Sequence, residues 1–96
     1  MKILKNNKEV EILDLGVVSA GESKEFKFEV MNESKGYLKD LVFKVDHSEV
    51  KIKESPSELD PNEKKKLVVK WSPSVDLEEG LKVKLIVEGK KIVKPI

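Results

Sequence analysis

His47 is the only histidine in 96 residues, and it sits in Asp46-His47-Ser48, the residue types of an orienting acid, a base and a nucleophile. Successive side chains on an extended chain point to opposite faces, so three neighbours do not converge on one substrate atom; the same three types favour a turn between strands. We expect a loop at this point. A single histidine also excludes a His-pair metal site. The absence of cysteine removes a thiol nucleophile, a cysteine-ligated zinc and any disulfide. Carboxylates are numerous, as in Glu78-Glu79 and Glu9-Val10-Glu11, and paired acids serve glycoside or metal chemistry. Lys and Glu together fill a third of the chain, however, so such pairs arise from composition alone and are expected on a solvated surface. No GxGxxG, P-loop, GxSxG or EF-hand spacing occurs. The chain therefore reads as a non-enzyme, with no catalytic residue, no metal ligand and no cofactor. Asn32-Glu33-Ser34 fits an N-glycosylation sequon, but its composition reads first as a turn, and no export signal accompanies it.

Two features bear on binding instead. Lys64-Lys65-Lys66, with Lys70 and the only tryptophan at Trp71, has the composition of a nucleic-acid stripe with an aromatic for base stacking. Charge balance opposes that reading, since 19 basic residues face 18 acidic ones for a net charge of +1. Every basic residue is lysine, and arginine, whose planar fork is the usual reader of phosphate and guanine, is absent. At period two, Leu67, Val69 and Trp71 share one face while Lys66, Val68 and Lys70 share the other. Trp71 is accordingly expected in the core, with the lysines in solvent. Lysine-mediated nucleic-acid binding, with its steep salt dependence, is kept as a remote alternative. Tyr37, after Gly36 in an expected loop, is the candidate exposed aromatic and the one residue nominated for an interaction surface.

The elements that carry these residues follow from the same periodicity. Phe26, Phe28 and Val30 alternate with Lys27, Glu29 and Met31, Leu81, Val83, Leu85 and Val87 alternate with Lys82, Lys84, Ile86 and Glu88, and Leu41, Phe43 and Val45 share a face, the pattern of strands with one buried face. About seven short strands are expected. The first, near 2–15, is either one kinked strand or a hairpin around Asn6-Asn7; the others fall near 23–32, 40–46, 49–53, 64–71, 80–88 and 91–95. Only 75–81 has room for a helical turn, limited by Gly80. Glu88-Gly89-Lys90 predicts a tight hairpin joining the last two strands, and the Ser-, Pro-, Asp- and Asn-rich link 54–63 is long enough to cross between sheets. Such spacing points to an all-β antiparallel sandwich, and residues 1–96 are expected to form one domain. The first residues lack the apolar run of a signal peptide, and no segment approaches the length of a membrane span. A soluble protein, cytoplasmic or assembled into a virion, is expected. The Lys and Glu bias fits either heat adaptation or an AT-rich genome.

A set of motifs in fixed order resembles ASH and hydin-like domains, relatives of the major sperm protein fold. Leu13-Asp14-Leu15-Gly16-Val17-Val18-Ser19-Ala20-Gly21-Glu22 is similar to the family's opening, hydrophobic-Asp-Phe-Gly-x-Val-x-x-Gly. Val30-Met31-Asn32 closes an alternating strand, Leu59-Asp60-Pro61-Asn62-Glu63 resembles Leu-x-Pro-Gly-Glu, Trp71-Ser72-Pro73 resembles Phe-Thr-Pro, and Gly80 precedes the next strand. Leu15, Asn62 and Trp71 stand where the family has Phe, Gly and Phe. The resemblance covers about residues 12–88. It implies a single immunoglobulin-like antiparallel sandwich of about seven strands, without catalysis, used for protein binding or scaffolding. Most relatives of this type are repeats within longer chains, whereas this chain opens on Met1 and is expected to work as a subunit or cap of something larger. The expected partner is thus a protein. In the most concrete version the chain is a small structural or decoration protein on a phage or viral particle; the alternative is an intracellular adaptor recruiting a filament or protein tail by strand addition at an open sheet edge.

Overall fold

The computed structural model describes residues 1–93. Among them are nine β-strands and no helix: β1 (Lys2–Lys5), β2 (Lys8–Val10), β3 (Leu13–Gly16), β4 (Lys24–Met31), β5 (Tyr37–Val45), β6 (Val50–Glu54), β7 (Lys64–Trp71), β8 (Leu81–Val83) and β9 (Leu85–Ile92). All pairings are antiparallel. β2, β1, β4, β7 and β6 form a five-stranded sheet in that order, while β3 pairs with β8 and β5 with β9 as separate two-stranded ribbons. The fold is all-β and sandwich-like.

Alternation explains the layering. Phe26, Phe28 and Val30 on β4 lie beside Val69, Leu67 and Lys65 on β7, so two apolar rows meet on one face of the large sheet. Leu41 and Phe43 of β5, Leu13 and Leu15 of β3 and Val83 of β8 join the same buried cluster. Trp71, at 0% exposure, is its largest fully buried side chain, as the period-two reading of β7 requires. Val68 departs from that reading. It belongs to the outer row yet is buried: β7 is central, and Val68 is flanked by Lys27 of β4 and Glu54 of β6, residues of a length that shields a central strand position.

Of the two readings of the first region, the hairpin around Asn6-Asn7 is the one that forms: β1 and β2 turn there, where both residues have positive φ, and β3 then leaves for a different ribbon. Such φ values at two central residues match the right-handed twist of a two-residue hairpin, and asparagine tolerates them. Three further expectations need correction. The link 54–63 does not change sheets, because β6 and β7 are direct neighbours. It bulges out to β5, where Leu38 and Leu59 exchange backbone hydrogen bonds of 2.9 and 2.8 Å and Leu41 N–H donates to Ser57 O at 2.9 Å, and then returns. The expected strand 80–88 is divided at Lys84 into β8, committed to β3, and β9, committed to β5. The hairpin at Glu88-Gly89-Lys90 does not form; β9 runs straight through it. Gly89 is not among the positive-φ residues, so it supplies no turn. It permits close approach instead, since a Cβ there would lie 2.6 Å from Leu41 Cδ2. β5 has an extra residue at this point, between Lys39 and Val42, and the bulge presses Leu41 against β9. The end of the expected seventh strand, at 94–95, lies outside the described residues.

Candidate interaction surface

The residues with chemical potential are held apart. Asp46 Oδ1 accepts from Lys84 N–H at 2.8 Å, which anchors the end of β5 to the break between β8 and β9. His47 Nδ1 accepts from Glu49 N–H at 3.2 Å within the turn between β5 and β6. Asp46 and His47 therefore serve separate backbone contacts, as a loop reading of this segment anticipates. Glu49 Oε2 accepts from Ser74 N–H at 2.9 Å and Asp76 Oδ1 from Ala20 N–H at 2.7 Å, so these carboxylates also fix loops. Among the described residues, no group of three or more His, Asp or Glu side chains is arranged to hold a metal ion.

Among the described residues Asn32 is the buried polar one, at 1% exposure. Its Nδ2 donates to Gly36 O at 2.7 Å and to Leu59 O and Asp60 O at 3.1 Å; its Oδ1 accepts from Ser34 N–H at 3.0 Å and Ser34 Oγ at 2.7 Å. Its backbone N–H donates to Glu63 O and its carbonyl accepts from Asn62 N–H. One side chain thus ties the β4–β5 turn to the far end of the 54–63 link. The Asn32-Glu33-Ser34 segment is a turn, and in the folded chain the amide of the sequon is closed to modification.

Tyr37 is not in a loop. It is half-buried as the first residue of β5, opposite Ile92 of β9. Proximity to Gly36 misled the sequence reading, because Gly36 is buried against the end of β9, where a Cβ would meet Ile92 O at 3.0 Å. What Tyr37 marks is its neighbour strand. Along β9 the inner row is Leu85, Val87 and Gly89, and the outer row is Ile86, Glu88, Lys90 and Ile92. Val87 lies opposite Phe43 yet is 36% exposed; Ile86 and Ile92 are each 42% exposed, and Val93, just past the strand, 64%. The alternation that buries Val83 on β8 half-buries Leu85 at the start of β9 and leaves Val87 without a cover.

β9 also has an open edge. It pairs with β5 on one side, and no other backbone hydrogen bond of the described residues involves 85–93. The other sheet edges are shorter, charged or partly covered: β2 and β8 have three residues and β3 four; β6 has five, carries Lys51 and Lys53 and is irregular between Ile52 and Glu54; and the link covers the first half of β5 at Leu38 and Leu41. β9 is eight residues long, and the bulge of its ladder is in its partner. The sequence reading missed this surface because it placed a hairpin at Gly89, which would have covered the edge. A signal was present: Glu-Gly-Lys lacks the Asn-Gly or Asp-Gly pair of a two-residue turn.

The lysine run is spread among acids. Lys64 Nζ lies 3.7 Å from Glu29, Lys65 Nζ 3.7 Å from Glu63 and Lys66 Nζ 3.6 Å from Glu54, all in exposed pairs. Concavities are open grooves, such as one of about 490 Å³ between β3 and β4 lined by Lys5, Asp14, Phe26 and Lys27. Among the described residues, fold and surface together define an all-β, antiparallel protein in which the eight-residue β9 has an uncovered edge. Comparison with protein-family models, curated proteins and solved structures finds no match. Among the described residues no helix is long and apolar enough to cross a membrane.

Proposed function

We propose that the protein is a non-enzymatic, immunoglobulin-like module that works by protein contact, with β9 as the contact edge. The observation that carries this reading is the coincidence, on one strand, of an unpaired backbone edge and a cluster of exposed apolar side chains. An unguarded strand edge accepts an added strand through main-chain hydrogen bonds, with alternate side chains supplying selectivity. The immunoglobulin-like assignment is supported by strand pairing: β4 with β7, β7 with β6 and β5 with β9 follow the order in which such sandwiches divide their strands between two sheets. In its most concrete form the module is a structural or decoration subunit held in many copies on a larger assembly such as a viral particle; fold-level analogy supports that form. An adaptor on a filament or protein tail uses the same edge.

The test is recovery from the native source under mild crosslinking, wild type against Val87→Lys. A lysine on the inner row of an edge strand blocks strand addition. Wild type is expected to bring down a protein partner or assembly in fixed stoichiometry, and Val87→Lys, with its thermal melt retained, to lose it. Equal recovery by both rejects the β9 edge. Absence of the protein from intact particles of its source rejects the viral form.

A further inference from the structure

The β9 edge is self-complementary, and we infer that its occupant is the β9 edge of a second copy, paired antiparallel about a twofold axis at Gly89. This inference rests on the reading of β9 as a contact edge and names what fills it. For two copies to extend one sheet, paired residues must lie on the same face, so the two residue numbers must sum to an even value. Centring the axis on Glu88 places two glutamates face to face, and centring it on Lys90 does the same with two lysines; like charges directly opposite are destabilising. Centring it on Gly89 resolves every position. Glu88 then faces Lys90 of the partner copy, twice by symmetry. On the same outer row Ile86 faces Ile92 of the partner copy, again twice. On the inner row Leu85 faces Val93 and Val87 faces the stem of Lys91. The residue on the axis itself is the one without a side chain.

Apart from Leu85, which is half-buried against the core, each element of this register is an exposed feature of the single chain. Ile86, Val87, Ile92 and Val93 are the exposed apolar residues of the β9 segment, and the register covers all four. Lys90 lies 3.6 Å from Asp40 in a pair that is about three-quarters exposed on both sides, so its ammonium is available to a second carboxylate. The five-stranded sheet is not involved, and the β5–β9 ribbon becomes the half of a four-stranded sheet running β5-β9-β9-β5. A ribbon of two strands is marginal alone, and doubling it supplies the cover that β9 lacks. The interface is isologous and closes at two copies.

Charge reversal tests both the pairing and the register. Wild type, Glu88→Lys, Lys90→Glu and the double variant are compared by sedimentation equilibrium up to about 1 mM, a range that reaches weak edge-to-edge association. Wild type is expected to dimerise. Each single reversal sets like charges opposite each other twice and is expected to weaken the dimer by about tenfold or more. The double variant exchanges the signs and is expected to recover the wild-type constant. An equimolar mixture of the two single variants is expected to form mixed dimers, since one copy then carries lysine at both positions and the other glutamate at both, and every facing pair is of opposite charge. Both positions are exposed, and a thermal melt of each variant is the check that it is folded. A wild type that stays monomeric throughout the range overturns the self-pairing, whatever Val87→Lys does to partner recovery. Dimers equally strong in all four proteins overturn this register. Loss of partner recovery on Val87→Lys with a monomeric wild type would leave the contact edge standing with a different occupant, so the two readings fail separately.

Discussion

At the scale of residues, Trp71 and Asn32 are both buried, one as the largest fully buried side chain and the other as a polar tie. Trp71 is entirely buried, and its Nε1 has no hydrogen-bond partner among the described residues. It contributes volume at the cost of one orphaned donor. Trp71→Ala is expected to cost about 3–5 kcal/mol, the range for removing a large buried aromatic. Trp71→Phe loses less volume and also removes the orphan, a group whose burial costs about 1–3 kcal/mol, so it is expected to be much the milder change in urea denaturation. As the only tryptophan, its native fluorescence is expected to be blue-shifted and protected from acrylamide; an emission quenched as readily as in the unfolded chain would contradict its place in the core. Asn32 is buried with both ends of its amide satisfied. Asn32→Ala leaves the carbonyls of Gly36, Leu59 and Asp60 without this donor and is expected to cost about 2 kcal/mol or more. Asn32→Asp turns carboxylate oxygens towards the same carbonyls and is expected to be worse at neutral pH, measured by the same denaturation curves.

At the scale of elements, glycine positions separate turns from close approaches. Gly80 has φ +79°, and a Cβ there would lie 2.7 Å from Gly16 O across the β3–β8 ribbon. Gly21 has φ +83° with open space around it. Both replacements by alanine incur left-handed strain of about 1–3 kcal/mol. Gly80→Ala additionally forces two backbones apart, so it is expected to lower the melting temperature clearly more than Gly21→Ala. Equal losses would mean that the β3–β8 ribbon yields easily. The strand patterns themselves were legible: the apolar rows of β4, β5 and β7 stand where alternation puts them. What was not legible was continuity. Glu88-Gly89-Lys90 has the composition of a turn, yet the bulge in β5 makes Gly89 a packing residue. Lys84, in an unbroken alternating run, is where the chain leaves one ribbon for another.

At the scale of the whole molecule, charge and connectivity decide behaviour. Lysines and glutamates interleave over the surface, as the pairs of Lys64, Lys65 and Lys66 show, and the net charge is +1. A polyanion releases its counterions to a basic patch, and a mixed-sign surface offers none. Titration with single- or double-stranded nucleic acid at low salt is therefore expected to show no binding; a complex with a steep salt dependence would restore the lysine-stripe reading. Connectivity is dominated by pairings between distant segments, such as Leu13 with Val83 and Tyr37 with Ile92. Folding must close those loops before the contacts reward it, so refolding followed by Trp71 fluorescence is expected on the millisecond-to-second scale of all-β domains rather than in microseconds.

Sequence alone determined the all-β class, the inward faces of β4, β5 and β7, the burial of Trp71 and the dispersal of Asp46 and His47. All of these follow from local rules, because side-chain direction on a strand alternates whatever its neighbours are. Tertiary structure decided which strands pair, that the 54–63 link returns to its own sheet, that Asn32 is a buried tie, and that β9 is left with an uncovered edge. Pairing depends on which backbone groups find partners elsewhere in the chain, and no period in the sequence records that. Tyr37, nominated as an exposed loop aromatic, became the first residue of β5, and the surface passed to the strand opposite it.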